Sequence, residues 1–379
     1  MSKANKILSF LLAINLVLLF TACGKIGGKA ADYSSIKIGV IYTRDYSKSF
    51  YYSFSFDQGL NKACKALGID EKQILRLNAD KNFDKEISSL IERGCNVIIT
   101  TDTAIINSLV TKEKDSLKEL ITKNKKVTFL NYGFTNYNLK NQCSFYAKTY
   151  EAEYLAGIVA GMKTKTNAVA FIPTFGTNDS FSTCLVNAFA VGVNKVNKDA
   201  KVFASPLNTE MDLVLETSKT ESLIEDKKCD VIAHSLCTEL CPNAAEAKGV
   251  PYITYNGIGV TDKTKMNIFS INTDWSIFFK AQFKSIVENT FSCNHKMCGL
   301  ADGTVSITTP NKDICDKKII DAFNAAKEKL IKGELKVFEM VVYDSYGRTL
   351  VAASGGNSYS DDDLINHFDR YNFNITLYS

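Results

Sequence analysis

The sequence predicts an α/β chain of two lobes, each a doubly wound parallel sheet, with a cleft between them. Three observations carry this. β-Branched apolar runs alternate with stretches of helical spacing from Ile36 onward. The alternation falls into two successive series of similar length. A chain of 379 residues, 45% hydrophobic and 23% charged, also exceeds what one core usually organises.

The elements follow in order. Ile36 to Tyr42 is a strand run, and Phe56 to Leu67 carries apolar residues at helical spacing until Gly68 ends it. The pattern repeats with strand Ile74 to Leu77, helix Phe83 to Glu92, strand Asn96 to Thr100, helix Ala104 to Leu120 and strand Lys126 to Tyr132. The second series reads helix Glu151 to Met162, strand Ala168 to Ile172, helix Ser180 to Asn194, strand Lys201 to Ser205 and helix Leu213 to Glu225. Strand Val231 to His234, helix Asn243 to Lys248 and strand Tyr252 to Asn256 complete it. The remainder shuttles between lobes: strand Ile268 to Asn272, helix Trp275 to Thr290, strand Gly303 to Thr308 and helix Lys312 to Lys332. Strands without polar alternation between helices imply sheets covered on both faces. Ligands of open α/β sheets bind beyond the carboxyl ends of the strands, so two facing sheets make a cleft and several crossings make a hinge.

The first 23 residues set the compartment. Lys3 and Lys6 precede an apolar stretch from Ile7 to Phe20, and Phe20-Thr21-Ala22-Cys23 resembles the lipobox of bacterial lipoproteins, with phenylalanine where leucine usually stands. Ile7 to Ala22 is 16 residues, shorter than a bilayer span. The expectation is a leader over 1–22, removed before an acylated Cys23, and a tether over 23–35. Lobe I then takes 36–148 with a crossing at about 272–300, lobe II takes 149–271 with about 301–355, and a C-terminal segment takes 356–379.

Charge excludes a nucleic-acid partner: removing Lys3 and Lys6 with the leader brings the net +4 to about +2. Ten further cysteines form an even set that an exported protein can oxidise. Cys64, Cys95 and Cys229 read as small buried side chains, whereas Cys293 and Cys298 flank a polar loop they could close. His234, Cys237 and Cys241, with His295, have a spacing open to a metal but no paired CxxC, and no metal is expected. No GxSxG elbow, Walker loop or HExxH occurs, and three scattered histidines give no acid-base set, so neither catalysis nor a cofactor is expected. Thr43-Arg44-Asp45 after the first strand offers no glycine for a phosphate.

Several segments carry a family resemblance. IKIGVIY, KSFYYSFSFDQGL, ISSLIERGCNVIITTD, TYEAEYLAG with MKTKTN, NAFAVGVNKVN, CDVIAHS, AAEAKGVPYITYNG and INTDWSIFF together resemble the basic membrane protein family. These are substrate-binding lipoproteins of ABC transporters, related to purine nucleoside receptors. The resemblance covers about Ile36 to Leu364 and implies a two-lobed periplasmic-binding-protein-like fold of type I, monomeric, with ABC permease subunits as partners. It also implies a purine base or nucleoside held between aromatic rings. Tyr52 best matches the stacking ring, with Phe50 second; Tyr150 and Glu151 match an aromatic-acid pair at the crossing. Asp102 follows the third strand, Phe175 and Phe181 come from the second lobe, and Trp275 matches a family aromatic. Asn208 and Asp212 match a segment whose tryptophan is Glu210 here. Asn256 stands where nucleoside-type members hold ribose with aspartate, and the lysine expected after it is not evident. An amide presents a donor as well as an acceptor, which favours a free base.

Each candidate has a structural alternative. Phe50 and Tyr52 fit a packed loop, Trp275 fits hinge core, Glu151 fits the first turn of its helix, and Asp102 fits a helix cap. The rival functions are a sensory or surface-interaction lipoprotein of the same fold and, from the enzyme class, a nucleoside hydrolase.

Overall fold

Two sheets organise the chain. The structure, a computed structural model, describes residues 31–133, 135, 137–256, 261, 263–292, 295–338, 342–343, 349–351, 370–372 and 374–378. The expected leader, Cys23 and Cys293 lie outside these residues.

The first sheet contains β1 (Ile38–Tyr42), β2 (Ile74–Asn78), β3 (Val97–Thr100), β4 (Thr128–Tyr132), β5 (Gln142–Ala147) and β11 (His295–Cys298). Its order is β11-β5-β4-β3-β1-β2, parallel throughout. The second contains β6 (Ala168–Ile172), β7 (Lys201–Ala204), β8 (Ile232–His234), β9 (Tyr252–Tyr255), β10 (Asn267–Thr273), β12 (Val305–Ile307) and β15 (Ile375–Leu377), while β13 (Val342–Tyr343) and β14 (Thr349–Val351) pair with each other. Its order is β12-β10-β9-β8-β6-β7-β15, parallel except where β12 runs against β10. β1, β3 and β6 are buried along their whole length, as strands covered by helices on both faces must be.

The helices are α1 (Tyr52–Leu67), α2 (Phe83–Glu92), α3 (Thr103–Leu109), α4 (Ser116–Lys123), α5 (Thr149–Lys163), α6 (Ser180–Val196), α7 (Leu213–Glu225), α8 (Leu240–Ala247), α9 (Trp275–Val287) and α10 (Lys317–Ile331). Gly68 closes α1 in the left-handed region at φ 71, the conformation glycine adopts without steric cost. The helix expected over 104–120 is two helices. Val110 leaves the helix with extended backbone and pairs with Asp115, whose carboxylate then caps α4 through Lys118 N at 2.9 Å. Thr111-Lys112-Glu113-Lys114 between them has nothing apolar to bury.

Each sheet also gains strands that apolar runs do not announce. β5 carries Gln142 and Ser144 fully buried, the first donating to Thr135 O at 2.7 Å and the second bonded to His295 Nδ1 at 2.7 Å. β11 is a short edge strand with only Cys298 buried. Cys298 is a free thiol, so the expected Cys293–Cys298 closure is corrected; the disulfide-bonded cysteine among the described residues is Cys143. Cys64, Cys95 and Cys229 are free and buried.

Two features fix the elements behind the cleft. Asp57 of α1 accepts from Tyr42 Oη at 2.8 Å and from Arg76 Nε at 2.6 Å, tying α1 to β1 and β2 in a largely buried pair. α5 and α6 cross at backbone contact: a Cβ at Gly157 would stand 2.0 Å from Phe189 O, and one at Gly192 would stand 2.2 Å from Tyr154 O.

Candidate functional site

The chain passes between the sheets at 147–149, 272–274 and 298–305, and these crossings bond to one another. Lys148 N donates to Cys298 O and Asp274 N to Thr304 O, both at 2.7 Å. On either side of this hinge the carboxyl ends of the parallel strands face a cavity of about 170 Å³.

The first lobe contributes Thr43 after β1, Phe50 from the loop that follows, Tyr52 and Ser53 opening α1, Thr101 and Asp102 after β3, and Tyr132 and Tyr146 at the ends of β4 and β5. The second contributes Thr174 and Phe175 after β6, Asp179, Phe181 and Ser182 at the head of α6, Glu210 after β7, Cys237 after β8 and Tyr255 ending β9. Every one follows or ends a strand or opens the next helix, as the carboxyl-end rule requires.

The walls are aromatic and the phenols sit close together. Tyr52 lies 5.3 Å from Phe56 edge to face and 6.2 Å from Tyr132, while Tyr132 lies 4.6 Å from Tyr146, which lies 5.7 Å from Phe181 of the other lobe. Burial, then the neighbouring Cys237, pushes the Tyr52 phenol up to about 12. Burial likewise raises Tyr132 and Tyr255 well above the ordinary range, so these hydroxyls are neutral at pH 7. The buried Tyr52 hydroxyl makes no close hydrogen bond, although the Tyr132 and Tyr255 hydroxyls and the Trp275 indole stand around it.

Asp102 caps a helix and also borders the cavity. Its Oδ1 accepts from Ala104 N at 2.8 Å as the cap of α3, its Oδ2 accepts from Thr43 Oγ1, and it lines the cavity. Asp179 likewise caps α6 through Ser182 N at 2.8 Å. At the mouth, Arg44 of the first lobe reaches Glu210 of the second, Nε to Oε1 3.0 Å. Burial raises the Glu210 carboxyl, and Arg44 partly offsets this.

The ABC transporter substrate-binding protein family described as PnrA-like matches residues 36–339. The chain belongs to that family. Its members are solute-binding proteins rather than enzymes. Among relatives, a purine-binding protein of Brucella abortus is 22% identical over 83% of this chain and 86% of its own. An ABC transporter protein of Haloferax volcanii named for glucose binding is 25% identical over 52% of this chain. A metabotropic glutamate receptor-like protein of Dictyostelium discoideum is 30% identical over 37% of it. The chain spans 50% of the Haloferax protein and 20% of the Dictyostelium one. Among solved structures, solute-binding proteins of Conexibacter woesei and Aeropyrum pernix each superpose over 79% of this chain at a TM-score of 0.63, covering 98% and 92% of those chains at 17% and 14% identity. They show the two-lobed fold of periplasmic-binding-protein type. No described helix is long and apolar enough to cross a membrane.

Phe50, Tyr52, Asp102, Phe175 and Phe181 therefore come together on one cavity of this PnrA-like protein, while five other candidates do not line it. Trp275 is fully buried in the first lobe, stacked on Phe56 at 4.7 Å and 11°, because its helix α9 packs on α1 beside Gly59. Tyr150 turns away to Phe338 at 5.8 Å. Glu151 is consumed by the hinge: Oε1 lies 2.8 Å from Lys148 Nζ and Oε2 accepts from Leu300 N at 3.0 Å. Asn208, at φ 61, accepts from Gly176 N at 3.2 Å and borders a separate hollow on the second lobe. Asn256, at φ 54, sits behind Cys237 with its Oδ1 accepting from Thr273 N at 3.3 Å. The lining residues missed from sequence, chiefly Tyr132, Tyr146, Asp179 and Tyr255, share one legible signal: each ends a strand or stands just before a helix.

Among the described residues no group of His, Cys, Asp and Glu is placed to hold a metal. His234 Nδ1 accepts from Leu236 N at 3.2 Å, and burial lowers the imidazole to about 4.

Proposed function

We propose that this PnrA-like protein is the lipid-anchored receptor of an ABC importer and that it captures a purine base between its lobes. The observation that carries the reading is the pairing of Phe50 and Tyr52 from one lobe with Phe175 and Phe181 from the other around one small cavity. Stacking on such rings contributes roughly 1 to 3 kcal/mol per base without demanding one hydrogen-bond pattern. Threonine, serine and carboxylate groups around the rings then choose among bases. The Brucella relative supports the ligand class. Asn256 directs its carboxamide to Thr273 and Cys237, which supports a base over a nucleoside needing a ribose clamp.

Ligand bound to both lobes has greater affinity for the closed form, and that population is what the permease reads. The monomer is the working unit, tethered outside the cytoplasmic membrane through Cys23 in the Phe20-Thr21-Ala22-Cys23 signal. Several acyl chains there give stable anchoring where one is marginal.

Calorimetric titration of the mature protein tests the ligand: heat with purine bases supports the reading, and heat with glucose but with no purine overturns it. Detergent-phase partition of the wild type, lost in Cys23→Ser, tests the anchor. Equal partition of both would remove it.

A further inference from the structure

The charged side chains among the described residues that line the cavity are all acidic. Asp102 and Asp179 line it from opposite lobes and Glu210 lines it from the loop after β7, while no lysine, arginine or histidine is among the described lining residues. The carboxylates share one space, since the Tyr146 phenol, raised first by burial, is raised further by Asp179 and by Asp102. Arg44 reaches this group from the mouth, and its guanidinium pairs with Glu210. Asp102 and Asp179 each accept from helix N-termini, where a negative charge is favoured. Around them the hydroxyl of Tyr52 is buried and makes no close hydrogen bond.

A carboxylate only accepts hydrogen bonds, so such a rim rewards ligand N–H groups and penalises ligand negative charge. We infer that the cavity selects a ligand that is uncharged at neutral pH and rich in N–H donors, and rejects anionic counterparts of the same shape. Resting on the purine reading, this names an aminopurine as ligand and excludes urate and phosphorylated purines. Aromatic walls alone would not separate these molecules, because each presents a similar ring face.

The test is calorimetry of the mature protein at pH 7.4 with adenine, guanine, hypoxanthine and urate, the last a monoanion there. At least one aminopurine is expected to bind, with urate weaker by about tenfold or more. Asp179→Asn, whose amide still caps α6, is expected to shift the urate-to-aminopurine affinity ratio toward urate by about threefold or more. Urate bound within about threefold of adenine and guanine, or a ratio unmoved in Asp179→Asn, overturns the charge inference and leaves the purine reading standing. Absence of binding by adenine, guanine and urate while hypoxanthine binds overturns the aminopurine assignment alone, and absence of binding by hypoxanthine as well overturns the purine reading with it.

Discussion

Removing the ring of Tyr52 is the sharpest test of the stacking wall. Tyr52 is the first residue of α1, and α1 is fixed to the sheet by Asp57 with Tyr42 and Arg76, so the ring is held in place before any ligand arrives. Tyr52→Ala deletes one stacking face, which costs roughly 1 to 3 kcal/mol. Phe50 remains as a second ring on the same lobe, so the lower part of that range applies. About tenfold weaker binding is expected, equivalent to roughly 1.4 kcal/mol. Tyr52→Phe separates ring from hydroxyl. The hydroxyl is buried and makes no close hydrogen bond in the protein, only longer contacts with Tyr132, Tyr255 and Trp275, so its loss changes stability by no more than about 0.5 to 1 kcal/mol. If the ligand satisfies that hydroxyl, affinity falls by roughly another 1 kcal/mol. Calorimetry with the purine that binds wild type, beside a thermal melt of each variant, reads both quantities. A folded Tyr52→Ala protein that keeps its affinity within about twofold refutes the stacking argument.

Three further outcomes follow from the same geometry. Arg44 and Glu210 join the lobes across the mouth with side chains 49% and 27% exposed, so solvent screening leaves the pair about 0.5 kcal/mol; Arg44→Ala is expected to speed ligand release about twofold at low salt and not at 1 M salt, and equal release rates at low salt would sink the latch. Trp275→Ala empties a fully buried site stacked on Phe56 and should cost about 3 to 5 kcal/mol in urea unfolding, with the affinity of the folded fraction unchanged. His234 is held near 4 against about 6.5 when unfolded, so its contribution is complete above pH 6.5 and is lost as pH falls toward 4, by about 1.4 kcal/mol per pH unit; His234→Gln should flatten that part of the stability profile, and an unchanged slope would contradict the buried neutral imidazole.

The architecture was legible because both sheets are built from strands buried on two faces, whose apolar runs need no partner to be recognised. α2 and α7 fall at the expected residues, each being bounded by polar stretches or a capping acid. β5 was not legible because Gln142 and Ser144 interrupt its apolar pattern, and the partners that make those side chains tolerable, Thr135 and His295, are supplied only by the fold. The cavity rings in loops and at helix heads, Phe50, Tyr52, Phe175 and Phe181, were reached through family resemblance. The strand-end tyrosines were passed over because Tyr132 and Tyr255 read equally well as core, which in part they are.

The candidates that do not line the cavity share a physical cause. Tyr150, Glu151 and Trp275 open the helices that directly follow two of the crossings, where a carboxylate or a large ring is as useful for fixing the helix head as for touching a ligand. Glu151 shows why sequence alone cannot separate the two roles. Its oxygens join Lys148 at the first crossing to Leu300 at the third, and Gly299 leaves room for them, since a Cβ there would stand 2.7 Å from Oε2. A receptor whose signal is closure depends on such a joint as much as on its rings. On the proposed function a ligand would act on the lobe tips through Tyr52 and Phe175, and the crossings would turn that contact into rotation of one sheet against the other rather than into local distortion. On that proposal, residues that set affinity belong at the ends of strands, and residues that set how far affinity moves the lobes belong at the crossings.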